Sequence, residues 1–147
     1  MPATDVHAIE LAPRMRAADV REIEAVNGAT PLEALRTSLA RSTEAWAGTV
    51  DKEVACIFGV GPLSLLGGEG CPWLLGSDLV ERKALAFARR NRAMVARWLQ
   101  TFPVLRNVVD ARNTRAICWL GWLGFVLQPS VPYGIARLPF HPFARSA

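Results

Sequence analysis

The sequence predicts an α+β fold: a mixed, mostly antiparallel sheet of about six to seven strands flanked by about four helices.

 The strands come from three apolar segments, "EAWAGTV", "EVACIFGVG" and "CPWLLGS", which read as a meander: a tight Asp51-Lys52 turn joins the first two and a glycine-rich connection, "PLSLLGGEG", joins the second to the third. A long amphipathic segment then separates this meander from "VLRNVVDA", and strand–helix–strand implies a parallel crossover inside an otherwise antiparallel sheet. With 147 residues and 51% hydrophobic content, the chain is long enough for one domain with a real core and too short for two comfortable ones.

The elements follow in order. Residues 7–11 form a short strand candidate. A helix is expected over 19–27, with Asp19 as N-cap and Gly28 as the stop. "TPLEALRTSLARS" is the clearest helix start: Thr30 can cap, Pro31 takes the first helical position, and Glu33 completes a capping box. After the meander comes the longest helix, 78–100, where Ala84, Phe87, Ala88, Met94, Val95 and Trp98 make an apolar stripe. Arg82, Lys83, Arg89, Arg90 and Arg97 fall largely on its other side, a face that is usually just solvated. Phe102-Pro103 ends it. A helix from Asn113, a strand over 125–127 and a strand in "YGIARLPF" complete a single domain over 1–147, with 139–147 as a C-terminal tail whose phenylalanines could anchor in a partner or fold back.

Composition narrows the functional classes. The net charge of +4 comes almost entirely from arginine, only Lys52 and Lys83 being lysines, and it permits an acidic partner without demanding one. Residues 116–136 carry no ionisable side chain except Tyr133. Glycines and prolines break the run, which fits a buried helix entering a strand better than a membrane span. "MPATDVHAIE" lacks the pattern of a secretory signal, so a soluble protein is expected. Cys56, Cys71, Cys118, His7 and His141 do not cluster as a zinc site requires, and the cysteines read as small buried groups in a reducing compartment. Trp73 and Trp98 read as core. Trp119 and Trp122 flank Leu120 on a helix apolar nearly all round, which is either buried or turned to a partner.

The element order, ending on "NTRAICWLGWLGF", resembles the GNAT superfamily of N-acetyltransferases: Asn113, Ala116, Gly124 and Phe125 match the family's last-helix pattern. Within it, "PWLLGSD", "NVVDARN", "WLGWLGF" and "PYGIARLPFHPF" resemble the GNAT-like internal virion and assembly proteins of short-tailed phages. The resemblance implies that acetyl-CoA, if it binds, meets Leu75, Gly76, Ser77 and Asn113, the last of which serves equally as a helix cap. Against turnover, the family's tyrosine acid falls on Leu120, and "LLGSDLVERKAL" has one glycine where the family carries a glycine-rich diphosphate loop. Asp78 and Glu81 form a capping box there that fills the cradle with carboxylates, and the strand 71–77 contains no glutamate base. No catalytic residue is therefore assigned and no cofactor expected. The implied role is a phage-encoded, catalytically degenerate virion-associated or assembly protein. It would act by protein–protein contacts with other virion proteins or copies of itself, in the host cytoplasm and then in the virion, with nucleic acid ranked below protein as a partner. The alternative is an active acetyl-CoA-dependent N-acetyltransferase acting on a protein or small amine. An enzyme should show an open cleft where residues 73–76 splay from 104–110; a structural protein should have that wedge plugged.

Overall fold

The computed structural model describes residues 1–63 and 66–147, so part of the expected glycine-rich connection, Ser64 and Leu65, lies outside the described residues. Five α-helices, α1 (Asp5–Leu11), α2 (Ala17–Asn27), α3 (Pro31–Arg41), α4 (Ala84–Thr101) and α5 (Thr114–Trp122), flank seven strands among the described residues. The strands are β1 (Glu44–Val50), β2 (Glu53–Pro62), β3 (Glu69–Gly76), β4 (Val104–Asp110), β5 (Val126–Leu127), β6 (Val131–Tyr133) and β7 (Leu138–Ser146). They form one sheet in the order β1-β2-β3-β4-β7-β5, with β6 also on β7. The α+β class and mixed sheet agree with expectation. No helix among the described residues is long and apolar enough to cross a membrane.

The chain opens on a helix rather than the expected strand. Five residues cannot separate a period of 2 from one of 3.6. The Thr4 N–H donates to His7 Nδ1 at 3.0 Å, and Ala8 and Leu11, three apart, are both fully buried. The second helix starts two residues early, placing Asp19 inside its first turn instead of at the cap. Gly28 ends it as expected, at φ 71°. The capping box of α3 forms: Thr30 N–H donates to Glu33 Oε1 at 3.0 Å, and Glu33 N–H to Thr30 Oγ1 at 3.2 Å. At the β1–β2 turn Asp51 and Lys52 have φ of 50° and 68°, the pair of left-handed residues that a two-residue hairpin requires.

Helices α1 to α3 cover one face of the sheet, where Leu11, Ile23 and Leu35 pack on Ala47, Val54, Ile57 and Leu75. Helices α4 and α5 cover the other, where Val95, Trp98 and Leu99 pack with Phe58, Leu105, Phe125 and Phe143. Ile57 and Phe58, adjacent in sequence, enter opposite cores, as strand alternation demands.

The expected tail 139–147 is instead part of β7, which pairs antiparallel with β4 from Val104↔Ser146 to Asp110↔Phe140. Its prolines forfeit N–H groups but keep their carbonyls: Pro139 O accepts from Ala111 N–H at 3.0 Å and Pro142 O from Gln128 N–H at 2.7 Å. Phe140 and Phe143 are buried in the sheet's own cores and are not free anchors.

Candidate active site

The parallel pairing of β3 with β4 lasts only two steps, Glu69↔Val104 and Gly70↔Leu105. Beyond it the strands part, and a cleft of about 730 Å³ passes through the sheet at the gap, lined by α2 and α3 on one side and by α4 and α5 on the other. The wedge is open.

Backbone alternation decides which groups face the gap. Ser77 N–H turns to β2, donating to Ala55 O, whereas Gly76 N–H turns the other way. Counting back by twos, Leu74 and Pro72 also direct their backbone toward the gap. Asn107 ties the two strands where their ladder stops: its Nδ2 donates to Pro72 O at 2.8 Å and its Oδ1 accepts from Val108 N–H at 2.8 Å. Between the Asn107 tie and Gly76, the N–H and C=O of Leu74 look into the cleft.

The far end of the gap is spanned by α2. Asp19 and Glu22, three apart and so on one face of the helix, each take one lip. Asp19 Oδ2 accepts from Gly76 N–H of β3 at 2.9 Å, and Glu22 Oε1 accepts from Asp110 N–H of β4 at 2.6 Å. Arg16 closes the first lip from both sides, its N–H donating to Gly76 O at 2.8 Å and its guanidinium to Asp19 Oδ1 at 3.1 Å.

Three carboxylates thus converge, and their surroundings separate them. Burial pushes the Asp19 pKa up against the pull of Arg16 and Gly76. Burial also pushes Glu22 up to about 7, opposed by the Asp110 N–H and reinforced by the charges of Asp19 and Asp110. Asp110 is held below the usual range by Arg112, whose Nε donates to its Oδ1 at 3.0 Å. Glu22 is left poised near neutrality on the wall of the cleft, the condition a general base needs. It was missed in the sequence because a base was sought on the strand. The available signal was the Asp19–Glu22 spacing beside Ile23 on the buried side of an amphipathic helix.

Of the residues expected at a cofactor, Leu75 lines the cleft. Gly76 has its N–H and C=O engaged as above, and an added Cβ would sit 3.2 Å from Val80 Cγ2 and 3.4 Å from Ala55 O, so close packing accounts for the glycine. Ser77, not Asp78, caps the helical turn over Asp78–Lys83, accepting from Leu79 N–H at 3.3 Å and donating to Ala55 O at 3.1 Å. The Asp78–Glu81 capping box is therefore replaced: Glu81 pairs with Arg115 of α5. Asn113 caps α5, its Oδ1 accepting from Ala116 N–H at 3.3 Å, and its side chain helps to hold the Asp19 pKa down.

On the α4–α5 side, Met94, Val95, Trp98, Trp119, Leu120 and Leu123 face the cleft. Although α5 is largely apolar, none of its residues is fully buried, because its inner face borders this space. Cys118 is exposed, contrary to the expectation for the cysteines, and Arg92 stacks on Trp122 at 4.9 Å. Tyr133 lines the cleft from the β6 side. Asn91 lies on the buried stripe of α4, 5% exposed, and its Oδ1 has no hydrogen-bond partner. A buried acceptor left unpaired costs about 1–3 kcal/mol, so some use for it is expected.

No protein-family model matches the chain, and no curated protein sequence does. Solved structures do. A ribosomal-protein-alanine N-acetyltransferase from Brucella melitensis aligns over 100% of this chain and 98% of its own, at TM-score 0.67 and 12% identity. A GNAT-family acetyltransferase from Streptococcus pneumoniae aligns over 99% and 96%, at 0.67 and 13%. An aminoglycoside acetyltransferase solved with coenzyme A aligns over 99% and 92%, at 0.69 and 17%. With the splayed parallel pair and the seven-stranded mixed sheet, these likenesses establish that the chain has the GNAT fold.

Proposed function

We propose that this protein transfers an acyl group from a coenzyme A thioester to an amine, with Glu22 as general base. The observation that carries the reading is the cleft held open through the sheet with a near-neutral carboxylate on its wall. The coenzyme A bound in the aminoglycoside acetyltransferase of the same fold supports it. The chain's own residues fit such a ligand: apolar walls, the Leu74 backbone pair and the unpartnered Asn91 Oδ1 suit an amide-bearing arm, with Leu75 and Asn113 beside it. When bound, the thioester supplies an activated acyl carbonyl.

The acceptor enters from the α2–α3 side, where Asn27, Thr37, Ser38 and Arg41 make a polar mouth. Glu22, ionised above about pH 7, removes a proton from the acceptor ammonium and leaves the nitrogen lone pair free to attack. Leu120 supplies no proton, so the proton that the nitrogen sheds on becoming an amide reaches the departing thiolate through water in the open cleft.

Thermal unfolding with and without millimolar acetyl-CoA or coenzyme A tests the reading. A ligand at 100 times its dissociation constant stabilises the native state by ~2.7 kcal/mol, a rise of several degrees for a domain of this size. Absence of a shift with either ligand refutes it.

The second reading keeps the domain as a phage virion or assembly protein without turnover. It is favoured by Trp122, 43% exposed on the outer face of α5, and by the resemblance of "PWLLGSD" and "PYGIARLPFHPF" to that phage branch. It predicts no thermal shift with either ligand and association with virion proteins.

A further inference from the structure

We propose that the donor thioester is recognised chiefly through its pantetheine arm, with Asn91 as the polar anchor, so that an acidic carrier protein bearing such an arm serves as donor as well as coenzyme A. The proposal rests on the acyl-transfer reading above. Its first support is Asn91. Placed among Phe87, Val95 and Trp98 on the buried stripe of α4, it lines the cleft with Oδ1 unpartnered. A pantetheine arm is a mostly apolar chain with amide N–H and hydroxyl donors, which matches a mostly apolar cavity containing one orphaned acceptor and the Leu74 backbone pair.

The second support lies at the end of the cleft where a nucleotide diphosphate would have to sit. Gly76 is pinned by Asp19 and Arg16, and the Ser77 hydroxyl is engaged on both sides. Asp78 and Glu81 occupy the first turn of the helix that follows. Convergent N–H groups are what a diphosphate needs, and here carboxylates stand in that position. Along the helical segment that follows, however, Arg82, Lys83, Arg89 and Arg90 are exposed. A spread of outward cations draws a broad acidic surface at long range better than it coordinates one small anion.

The test is calorimetric binding of pantetheine, coenzyme A and a phosphopantetheine-loaded acyl carrier protein. Pantetheine is expected to bind within about threefold of coenzyme A, and Asn91→Leu to weaken both by about tenfold, which corresponds to one charge-neutral hydrogen bond. Asn91→Leu should melt at or above the wild type, since it removes an unpaired acceptor. As a check independent of any variant, an arm with esters in place of its amides should bind the wild type more weakly. Reversing Arg89 and Arg90 to glutamate should weaken the carrier protein alone, with a difference that fades at high salt. Coenzyme A binding about a hundredfold more tightly than pantetheine would place recognition on the diphosphate and overturn the proposal. So would an unchanged affinity in Asn91→Leu with no ester effect, or a carrier protein indifferent to the charge reversal. Binding of neither pantetheine nor coenzyme A would remove the acyl-transfer reading itself.

Discussion

Glu22 gathers three effects in one side chain: it ties down β4, it carries a strongly displaced pKa, and it faces the cleft. Its folded pKa of about 7 stands above the ordinary 4.5, so between those values the folded state holds a proton that the unfolded chain has released. Stability must then fall as pH rises through this window, by up to ~3 kcal/mol by pH 8. Glu22→Gln keeps an oxygen for the Asp110 N–H and abolishes the titration. Chemical denaturation from pH 5 to 8 should show a flatter profile for the variant and greater stability than wild type at pH 8. Acyl transfer should behave oppositely, with kcat/KM rising through pH 7 in the wild type and falling ~10²–10⁴-fold in the variant. A variant that retains the wild-type pH–rate profile would take the base role away from Glu22. Leu120→Tyr tests the other half of the proton path: if the leaving sulfur lacks only an acid, the tyrosine should raise kcat with little change in KM. The position is half-buried against the cleft, which leaves room for the ring.

At the scale of elements, what could be read in advance was what local chemistry decides. Thr30, Pro31 and Glu33 specify α3 without help from the rest of the chain, and two left-handed residues specify the β1–β2 turn. The parallel crossover followed from element order. The final strand did not, because Pro139 and Pro142 argue against a strand that sits inside a sheet, and only long-range pairing with β4 overrules them. The carboxylates were hidden for a related reason: Asp19 and Glu22 acquire their roles from Gly76 and Asp110, far away in sequence. Calling the last residues a tail predicts that they can be cut away; β7 predicts the opposite. Truncation after Arg137 should yield no cooperative thermal transition, because β4 loses its antiparallel partner and two buried phenylalanines, Phe140 and Phe143, are removed. Phe143→Ala, a milder form of the same test, should cost about 3–5 kcal/mol in equilibrium unfolding, since the ring is buried and packs edge-on against Phe125 at 5.1 Å.

At the scale of the molecule, the sheet is two antiparallel parts, β1-β2-β3 and β4-β7 with its short partners, joined by a parallel ladder of two steps. Side chains continue the join where the ladder stops: Asn107 near its end, then Asp19 and Glu22 reaching from α2 to the two lips. The opening that a ligand needs is thus maintained by groups that replace backbone hydrogen bonds while keeping the strands apart. Such a seam should be the weakest line in an otherwise continuous sheet. Asn107→Ala leaves Pro72 O and Val108 N–H without their partner, at a cost of about 1–3 kcal/mol. If the two parts open along the seam, hydrogen exchange in the variant should quicken at Val108, Gly76 and Asp110, while amides in the β1–β2 and β4–β7 ladders exchange as in the wild type. If protection falls equally across all the strands, the sheet opens as one unit, and the seam has no independent mechanical meaning. Coenzyme A added to the wild type should act in the opposite sense, slowing exchange at the same three amides, because a ligand that fills the cleft supports both lips at once.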